Sequence, residues 1–480
     1  MALRFYNSLT GQLEVFRPLE DGKATLYHCG PTVYNYAHIG NLRAYIFADT
    51  LRRTLELSGY EVTQVINITD IGHLTGDGDD GDDKMVKALK REGKPMTLES
   101  MREVANKYKD AFVEDLRALR IEMPHELPFA SDNIAEDIEI VQLLQEKGFA
   151  YQIGDGIYFD TKKDGAYGKL AGLKNSDELE SRIGDNAEKH SPRDFALWKF
   201  SKHQADEKDA IGYESPWGKG FPGWHIECSA MSRKFLGQPF DIHTGGIDHI
   251  PVHHTNEIAQ SECAFGEPLA NIWMHGGFLN IDGEKISKSL ANDIYLADIN
   301  KIARPESYRL WLLMAHYRSP INFTYDALRA ADTALTTLYE AFSTLPHDES
   351  TFDGIAENRV DETYKASFIA AIENDLDMPK ATALLFALFK DETLEGEVKR
   401  ATILSFDQVL GLGFAELPQI VVPEAVLTTA AHRDEARANK DFKKADELRK
   451  EIEKAGFTIR DHKDGSQIVP LRLSPNKKTY

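Results

Sequence analysis

The fold is decided by one stretch of sequence, Cys29-Gly30-Pro31-Thr32-Val33-Tyr34-Asn35-Tyr36-Ala37-His38-Ile39-Gly40-Asn41. Residues 24–28, immediately before it, are rich in strand formers, and residues 42–57 place apolar side chains at helical spacing. The stretch therefore predicts a strand, a glycine-containing loop and a helix. Because the N-terminus of a helix presents unpaired N–H groups and the positive end of its dipole, this loop is suited to binding phosphate.

Length and composition indicate a globular protein that stays out of the membrane. The chain has 480 residues, enough for about two to four domains, and it has no run of about 18 apolar residues. Its first residues lack the apolar stretch of a signal peptide, so we expect a cytoplasmic protein. The 77 acidic and 56 basic side chains give a net charge of −21, so a polyanion would have to bind to a local basic patch.

The chain has three cysteines, Cys29, Cys228 and Cys263, which lie far apart in the sequence. So low a count argues against a disulfide scaffold and favours reduced thiols that serve as metal ligands or core residues. We therefore expect a reducing compartment.

Two βαβ patterns predict a doubly wound parallel sheet, and hence an α/β fold. Residues 24–69 supply a strand, a helix and a second strand. Strand signals return at 240–243 and 272–275, with a helical pattern over 253–264 between them. The second pattern would complete the sheet that the first one begins.

Helical patterns dominate the rest of the chain. Residues 120–225 form an insertion between the halves of the sheet, and we expect its last part, 150–223, to be irregular. Past Pro320 the patterns predict a small helical bundle, followed by one helix over 432–455. The predicted helices outside the sheet and before this last one are 98–119, 134–147, 327–342, 361–374, 379–389 and 397–410.

Two charged segments leave alternatives open. Residues 76–83, rich in aspartate and glycine, predict a solvated loop; the alternative, a divalent-cation site, lacks the closing glutamate of an EF-hand. The helix 432–455 is dense in lysine and arginine, which indicates either a solvated face or a surface for phosphate. Its basic residues include Arg433, Arg437, Lys440, Lys443, Lys444, Arg449 and Lys450.

A second phosphate motif is Lys285-Ile286-Ser287-Lys288-Ser289, which follows a run of turn residues. Two lysines three positions apart on a loop can reach phosphate oxygens together, as a leaving pyrophosphate requires. Alone, such a pentapeptide is more often a surface loop. Its pairing with the first motif, with a βαβ pattern at each, favours one nucleotide site served by both.

These two motifs, His38-Ile39-Gly40-Asn41 and Lys285-Ile286-Ser287-Lys288-Ser289, resemble the HIGH and KMSKS signatures of class I aminoacyl-tRNA synthetases. Asn41 replaces the second histidine, and its amide can donate a hydrogen bond but cannot become cationic. Ile286 replaces the methionine and fills a similar apolar volume. Five further segments resemble the cysteinyl-tRNA synthetases, namely Cys29-Gly30-Pro31-Thr32-Val33-Tyr34, Asn67-Ile68-Thr69-Asp70, Ser215-Pro216-Trp217-Gly218, Pro222-Gly223-Trp224-His225-Ile226-Glu227-Cys228-Ser229 and His253-His254-Thr255-Asn256-Glu257.

The resemblance implies a Rossmann-type class I catalytic domain with an insertion, then an α-helical bundle and a small C-terminal domain. The implied segments are 1–119 and 226–295 for the two halves of the catalytic domain, 120–225 for the insertion, 296–350 for linker helices that contact the tRNA stem, 351–425 for the bundle and 426–480 for the anticodon-binding domain. The basic helix at 432–455 would then contact phosphates of the tRNA.

The resemblance also implies an activity. L-cysteine would react with ATP to give cysteinyl-adenylate and pyrophosphate, and cysteine would then pass to the 3′ end of tRNA(Cys). We expect Mg²⁺ to accompany the ATP, and we expect a monomer with no membrane partner.

One Zn²⁺ per chain is implied as well, with Cys29, Cys228, His253 and Glu257 as its ligands. Taken singly, these residues have ordinary explanations, because a lone cysteine is usually a small core residue and a His-x-x-x-Glu pair usually a surface contact on a helix. As a set, two thiolates, an imidazole and a carboxylate suit zinc. We expect the zinc to bind the thiolate of the substrate and so to exclude serine. Cys263 matches no ligand position, and His254 is a weaker candidate than His243 for the site wall.

The remaining site residues are implied position by position. The catalytic residues would be His38, Asn41, Lys285 and Lys288. The ATP-binding residues would be His38, Gly40, Asp248 and Lys288, and Asp248 follows a predicted strand, where acidic residues of doubly wound folds bind ribose. The cysteine-binding residues would be Cys29, Gly30, Thr69, Trp224 and His243, although Trp224 could equally be an ordinary core aromatic.

Two other functions share some of these features. A cysteine ligase that acts on an amino sugar would have the same fold, zinc ligands and adenylation step, but it would lack the C-terminal anticodon-binding end. A non-catalytic paralogue that binds RNA would have lost lysines or zinc ligands, whereas this sequence retains both sets.

Overall fold

The computed structural model describes residues 2–71, 84–172, 188–201, 211–286, 292–346, 357–418, 422–462 and 465–470. The acidic segment 76–83 and Lys288 lie outside them. The chain divides into two compact units. The first comprises Met1–Leu296, Tyr317–Asn322 and Glu373–Leu376, and the second comprises Ala297–His316, Phe323–Ile372 and Asp377–Tyr480. None of the described helices is long and apolar enough to cross a membrane.

The strands, in chain order, are β1 (Arg4–Asn7), β2 (Gln12–Val15), β3 (Lys23–His28), β4 (Glu61–Ile66), β5 (Ala150–Ile153), β6 (Gly156–Phe159), β7 (Phe195–Phe200), β8 (Gly220–Pro222), β9 (Phe240–Gly246), β10 (Ala270–Gly276), β11 (Leu279–Ile281), β12 (Glu284–Lys285), β13 (Ile321–Phe323), β14 (Phe457–His462) and β15 (Gly465–Pro470). The helices are α1 (Ile39–Leu57), α2 (Lys84–Glu92), α3 (Leu98–Ala118), α4 (Ile134–Glu146), α5 (Trp224–Leu236), α6 (His253–Phe265), α7 (Leu296–Ile299), α8 (Pro305–Leu313), α9 (Tyr325–Ser343), α10 (Glu362–Ile372), α11 (Met378–Lys390), α12 (Gly396–Leu410), α13 (Glu424–Ala438) and α14 (Phe442–Lys454).

The predicted parallel sheet is confirmed. Its strand order is β10-β9-β3-β4, and all three neighbouring pairs run parallel. The chain moves outward from β3 to β4 on one side and from β9 to β10 on the other, so the topological switch point lies between β3 and β9. Because the carboxyl ends of parallel strands meet at one edge, the loops after these four strands gather there, which is where doubly wound folds bind ligands.

Helix α1 begins where the opening stretch of sequence ends. His38 is its N-cap, and a reciprocal pair of hydrogen bonds joins His38 to Asn41. Apolar side chains at helical spacing then bury one face of the helix, among them Leu42, Ile46 and Leu51, each with no more than 2% exposure. The predicted order of strand, loop and helix is thus confirmed, and the capping pair fixes the point at which the helix starts.

The expectation of an irregular segment over 150–223 is wrong. The described part of this segment contains a four-stranded antiparallel sheet in the order β5-β6-β7-β8. Strand β6 is buried at all four positions, so it shows no alternation of polar and apolar residues. Short strands buried on both faces lack the two-residue period on which strand prediction depends. The sheet shares a hydrophobic core with α4 and α5 that includes Ile157, Leu197 and Ile226.

The second unit is mainly helical, and the predicted helices of the bundle are confirmed. The single helix expected over 432–455 is wrong, because α13 ends at Ala438 and α14 begins at Phe442. Lys440, between them, has a φ of 61° in the left-handed region, which no helix can accommodate. Asp441 then caps α14 by accepting a hydrogen bond from the Lys444 N–H. Beyond α14, β14 and β15 form an antiparallel hairpin.

Candidate functional site

Four predicted metal ligands converge at the carboxyl edge of the sheet. Cys29 directly follows β3, Cys228 lies on α5, and His253 and Glu257 lie one turn apart on α6. One ligand atom from each side chain lies within 4.8 Å of the others, and all four side chains are buried. We call these four residues the metal cluster. The Cys29 Sγ lies 4.0 Å from the Cys228 Sγ, and the His253 Nε2 lies 3.0 Å from the Glu257 Oε1.

Two further histidines border the metal cluster. The His243 Nε2 lies 2.8 Å from the Glu257 Oε2, and the His254 Nε2 lies 3.2 Å from the Cys29 Sγ. Together with Cys29 and Glu257 they form a second set of potential ligands. The sequence favoured His243 over His254 as a wall of the site, whereas the structure brings both into contact with the metal cluster.

Burial shifts the pKa values of three groups at this site. It raises the pKa of the Cys29 thiol and of the Glu257 carboxyl well above their ordinary values. It lowers the pKa of His243 to about 3. The ion pairs recorded for Glu257 within the described residues involve only histidines, so no arginine or lysine there supplies a permanent positive charge. Buried sulfur and carboxylate donors of this kind fit a divalent cation, which would hold them in their ionised forms.

Neighbouring rings orient the histidine of the metal cluster. The Nδ1 atoms of His225 and His253 lie 2.8 Å apart, so a hydrogen bond leaves the His253 Nε2 facing Glu257. The Trp224 ring stacks on His253 with centroids 4.2 Å apart and an interplanar angle of 28°. A ligating histidine usually needs such a partner on its other nitrogen. His225 lies within the quoted segment 222–229, but its role did not follow from the sequence.

The loop after β4 completes the wall beside Cys29. The Gly30 N–H donates to the Asn67 Oδ1 over 2.7 Å, and the Asn67 Nδ2 donates to the Thr69 Oγ1 over 3.0 Å. A Cβ atom on Gly30 would lie 1.5 Å from the Asn67 carbonyl oxygen, so only glycine fits there. Thr69 is 1% exposed. The predicted residues Gly30 and Thr69 are therefore held against each other by Asn67.

A separate cavity of about 190 Å³ lies beside α1. Its lining includes the predicted ATP-binding residues His38, Gly40 and Asp248 and the predicted catalytic residues Asn41 and Lys285. A Cβ atom on Gly40 would come within 2.8 Å of the Ile286 side chain, so the helix approaches the second motif closely at this point. We call this cavity the nucleotide cleft, after the ligand that the sequence predicts for these residues. The structure thus brings the first motif together with Lys285 and Ile286 of the second. The rest of the second motif, including Lys288, lies outside the described residues.

The His38–Asn41 pair fixes the donors that α1 offers to the nucleotide cleft. The Asn41 N–H donates to the His38 Nδ1 over 3.2 Å, and the His38 N–H donates to the Asn41 Oδ1 over 3.2 Å. A neutral His38 with an accepting Nδ1 carries its proton on Nε2. The Asn41 oxygen is used as an acceptor, so its amide NH₂ remains a donor. Asn41 therefore supplies a hydrogen-bond donor where the HIGH signature has an imidazole.

Lys285, the first residue of the second motif, reaches the nucleotide cleft on a hairpin. Strands β11 and β12 pair through Asn280 and Lys285, and the turn between them uses Asp282 and Gly283, whose φ angles are 48° and 86°. Two residues in the left-handed region are typical of a tight hairpin turn. The Lys285 ammonium lies 5.2 Å from the centroid of the Phe278 ring. Lys285 is thereby placed at the rim of the cleft.

Two basic residues near the site were missed. The Lys84 ammonium lies 5.6 Å from the Tyr34 ring and 5.9 Å from the Trp224 ring. Arg43 lies within α1 and lines the nucleotide cleft. Lys84 follows an acidic run and belongs to no motif, so no signal pointed to it. Arg43 is two positions past the first signature and could have been considered on that ground.

Known proteins resemble this chain over nearly its full length. A family model described as the tRNA synthetases class I (C) catalytic domain matches residues 15–333, and the cysteinyl-tRNA ligase anticodon binding domain matches residues 423–468. Cysteine–tRNA ligase 1 of Burkholderia lata is 43% identical over 481 residues, which cover 99% of each chain. The cysteine–tRNA ligase of Treponema denticola is 40% identical, covering 96% of this chain and 98% of the relative.

Solved structures resemble the chain in fold. Methionyl-tRNA synthetase of Mycobacterium tuberculosis in complex with methionyl-adenylate has a TM-score of 0.54 and 16% identity, and the match covers 83% of this chain and 91% of that one. The Agrobacterium radiobacter LeuRS in a ternary complex has a TM-score of 0.54 and 13% identity, covering 85% of this chain and 88% of that one. At this level of identity, the likeness concerns the fold alone.

Proposed function

Since this chain belongs to the cysteine–tRNA ligases, a family of class I aminoacyl-tRNA synthetases, we propose that the metal cluster holds Zn²⁺ and selects cysteine by its thiol. The enzyme activates L-cysteine with ATP to cysteinyl-adenylate and pyrophosphate, and it then transfers cysteine to the 3′ end of tRNA(Cys). The observation that carries the zinc proposal is the convergence of four buried donor atoms within 4.8 Å of one another.

The chemistry of the substrate supports a thiol-specific site. Cysteine and serine differ by one atom, and an apolar pocket separates near-isosteres by only about 1–3 kcal/mol. When bound, Zn²⁺ supplies a bond to a thiolate that the neutral hydroxyl of serine matches poorly. Cys29, Cys228, His253 and Glu257 are the ligands, and His243 and Trp224 wall the space beside them. The four ligands and His243 are buried, which limits the access of competing water to the site.

In the first step, the carboxylate of cysteine attacks the α-phosphorus of ATP in line, and pyrophosphate leaves. The His38 Nε2–H and the Asn41 amide donate to the α-phosphate, where charge builds up. Lys285, with Lys288, binds the oxygens of the departing pyrophosphate, and Mg²⁺ accompanies the ATP. The residues act by position and electrostatics, so the enzyme forms no covalent intermediate.

The two substrates are held on either side of the reacting atoms. Gly30 and Thr69 lie against the cysteine beside the metal cluster, and Asp248 accepts hydrogen bonds from the ribose of ATP. The loop from Cys29 to His38 joins the thiol site to the phosphate site. In the second step, a terminal ribose hydroxyl of tRNA(Cys) attacks the adenylate carbonyl carbon, and AMP leaves with the electrons of the broken carbonyl–phosphate bond.

Part of the basic segment 432–455 is unavailable for the phosphate contacts expected of it. Arg433 is 2% exposed, and its Nη2 donates to the Asp461 Oδ2 over 2.8 Å. Arg437 also forms an ion pair with Asp461, and the Arg449 Nη2 lies 3.3 Å from the same carboxylate. We call Arg433, Arg437, Arg449 and Asp461 the arginine cluster. Arg433 is buried and paired within the unit, which argues that it stabilises the hairpin rather than binds tRNA. The Arg437 and Arg449 side chains share the same carboxylate but are 42% and 37% exposed.

The turn between α13 and α14 is a better surface for tRNA. Phe442 is 62% exposed there, and Lys440, Lys443 and Lys444 surround it in sequence. Exposed aromatic rings stack on unpaired bases, and neighbouring lysines attract the backbone phosphates. We therefore place a contact with the unpaired bases of the anticodon loop at Phe442.

Cysteine-dependent exchange of pyrophosphate into ATP, with serine as the control, tests the first step. Transfer to tRNA(Cys), measured on the same preparation, tests the second. Exchange with cysteine but no transfer would favour the amino-sugar ligase. No exchange would contradict both enzyme functions.

A further inference from the structure

Arg43 makes an unusual set of bonds from within α1. It lies one turn past the helix N-terminus and is 6% exposed. Its Nη1 donates to the Phe278 carbonyl oxygen over 2.6 Å, and its Nη2 donates to those of Tyr317 and Ser319 over 3.0 and 2.6 Å. A single guanidinium thus binds two separate chain segments, one before β11 and one before β13.

Two of these carbonyls also accept hydrogen bonds from the backbone. The Ile321 N–H donates to the Phe278 oxygen over 2.9 Å, and the Gly277 N–H donates to the Tyr317 oxygen over 2.8 Å. The guanidinium therefore occupies the second lone pair of each carbonyl at the junction of the two segments. A Cβ atom on Gly277 would lie 2.6 Å from the Arg318 carbonyl oxygen, so the segments approach as closely as the backbone allows.

This junction is the base of the hairpin that carries the second signature. Phe278 immediately precedes β11, and β11 pairs with β12, which bears Lys285. The Lys285 ammonium also lies over the Phe278 ring. A shift of the Phe278 carbonyl would therefore move both the strand and the resting position of the lysine. Arg43 follows Asn41 by two positions on the helix that carries the first signature.

We propose that Arg43 is a positioning residue for adenylate formation, which ties the helix of the first signature to the hairpin of the second. It keeps the phosphate donors of the helix at a fixed distance from those of the hairpin across the nucleotide cleft. The inference rests on the proposed function, because it assigns ATP to that cleft. Arginine suits the task because its planar fork offers five donors in fixed directions, whereas the ammonium of lysine is compact and cannot span the three carbonyls.

The test compares Arg43→Lys with Arg53→Lys in cysteine-dependent exchange. Arg53 is the matched control, because it also lies on α1 and its Nη2 also donates to a carbonyl, that of Arg120, over 2.8 Å. We expect R43K to raise the KM for ATP between about 10-fold and 100-fold, the cost of misplacing reacting groups by about 1 Å. The KM for cysteine and the zinc content should stay within about twofold, and R53K should change none of the three. R43Q, which retains two amide donors, is measured beside R43K so that the result does not depend on the folding of one variant.

A double-mutant cycle separates positioning from general support of the fold. If Arg43 acts through the hairpin, R43K should raise the KM for ATP by less than about threefold in a K285A background, because the lysine that it positions is already gone. If the KM for ATP of the double variant instead rises by the product of the two single increases, the inference is overturned. An equal rise in the KM values for ATP and cysteine, with loss of zinc, would overturn it as well. Failure of the proposed function is a different result, since the unmutated protein would then show no exchange.

Discussion

The metal cluster and the arginine cluster are both polar groupings with buried members, yet they satisfy their charges in opposite ways. In the metal cluster, burial raises the pKa values of Cys29 and Glu257, and within the described part of the chain Glu257 forms ion pairs only with histidines. In the arginine cluster, bonds from Arg433 lower the pKa of Asp461 to about 2. The first grouping fits an added cation, whereas in the second the Asp461 carboxylate already has arginine partners within the protein.

The difference shows which polar groupings carry function. A cluster whose anions lack a permanent positive partner costs free energy unless an ion binds, so its presence indicates a ligand. A cluster that pairs guanidinium with carboxylate indicates structural support. In sequence, both appear merely as polar side chains scattered over helices, strands and loops, and only their partners in space distinguish them.

The largest effect is expected from Cys29→Ser. The serine hydroxyl is a poor zinc ligand, so the variant should lose its zinc. Its cysteine activation should fall by more than about 100-fold, because loss of a residue that merely hydrogen-bonds to a metal ligand already costs about 10-fold to 100-fold. Metal content by mass spectrometry and pyrophosphate exchange measure the two losses. Cys263→Ser is the matched control, because Cys263 is half-buried and outside the metal cluster; it should retain its zinc and its activity. Retained zinc in the Cys29 variant would remove Cys29 from the ligand set.

A smaller effect is expected at the exposed turn next to the arginine cluster. Phe442→Ala should raise the KM for tRNA(Cys) about tenfold, because one stacked base contributes about 1–3 kcal/mol. Pyrophosphate exchange, which needs no tRNA, should be unchanged. Leu427→Ala provides the control, since Leu427 is exposed and apolar on the same helical pair but cannot stack. An unchanged KM for tRNA in the Phe442 variant would refute the stacking contact.

The smallest effect is expected at Asp461. Its folded pKa of about 2 lies below the unfolded value of about 3.9, so its ion pairs stabilise the protein above about pH 4, and this stabilisation is lost as the pH falls towards 2. Because the carboxylate is partly exposed, we expect only about 1 kcal/mol. Asp461→Asn should lower the thermal stability at pH 7, should differ little from the unmutated protein near pH 2, and should leave the KM for tRNA within about twofold. A large rise in that KM would mean that the arginine cluster contacts tRNA after all.

Motifs and periodicity predicted the parallel sheet and the places where its loops meet. Cys29 and the loop before α1 could be placed because parallel strands bring their carboxyl ends to one edge. The β5–β8 sheet could not be predicted, because β6 is buried at every position and shows no alternation. The break between α13 and α14 depends on the backbone angle of Lys440. It could not be predicted, because the residues on both sides of Lys440 continue one helical pattern.

The site was predictable where residues belong to signatures and not where they act through space. His253 and Glu257 could be paired from their spacing on one helix. Two other features of the site join segments that are far apart in sequence, so no local pattern predicts them. They are the bond from His225 to His253 and the bonds from Arg43 to three carbonyls. The pairing of Arg433 could not be predicted for the same reason, since its partner Asp461 lies on a strand beyond the next helix.

The central claim is that the metal cluster binds the sulfur of the substrate. The most direct measurement replaces the zinc of the whole enzyme with Co²⁺ and follows the absorption spectrum as cysteine or serine is added. The account predicts that cysteine strengthens the sulfur-to-metal charge-transfer band and shifts the d–d bands, while serine changes neither. A spectrum that does not respond to cysteine, or that responds equally to serine, would contradict it.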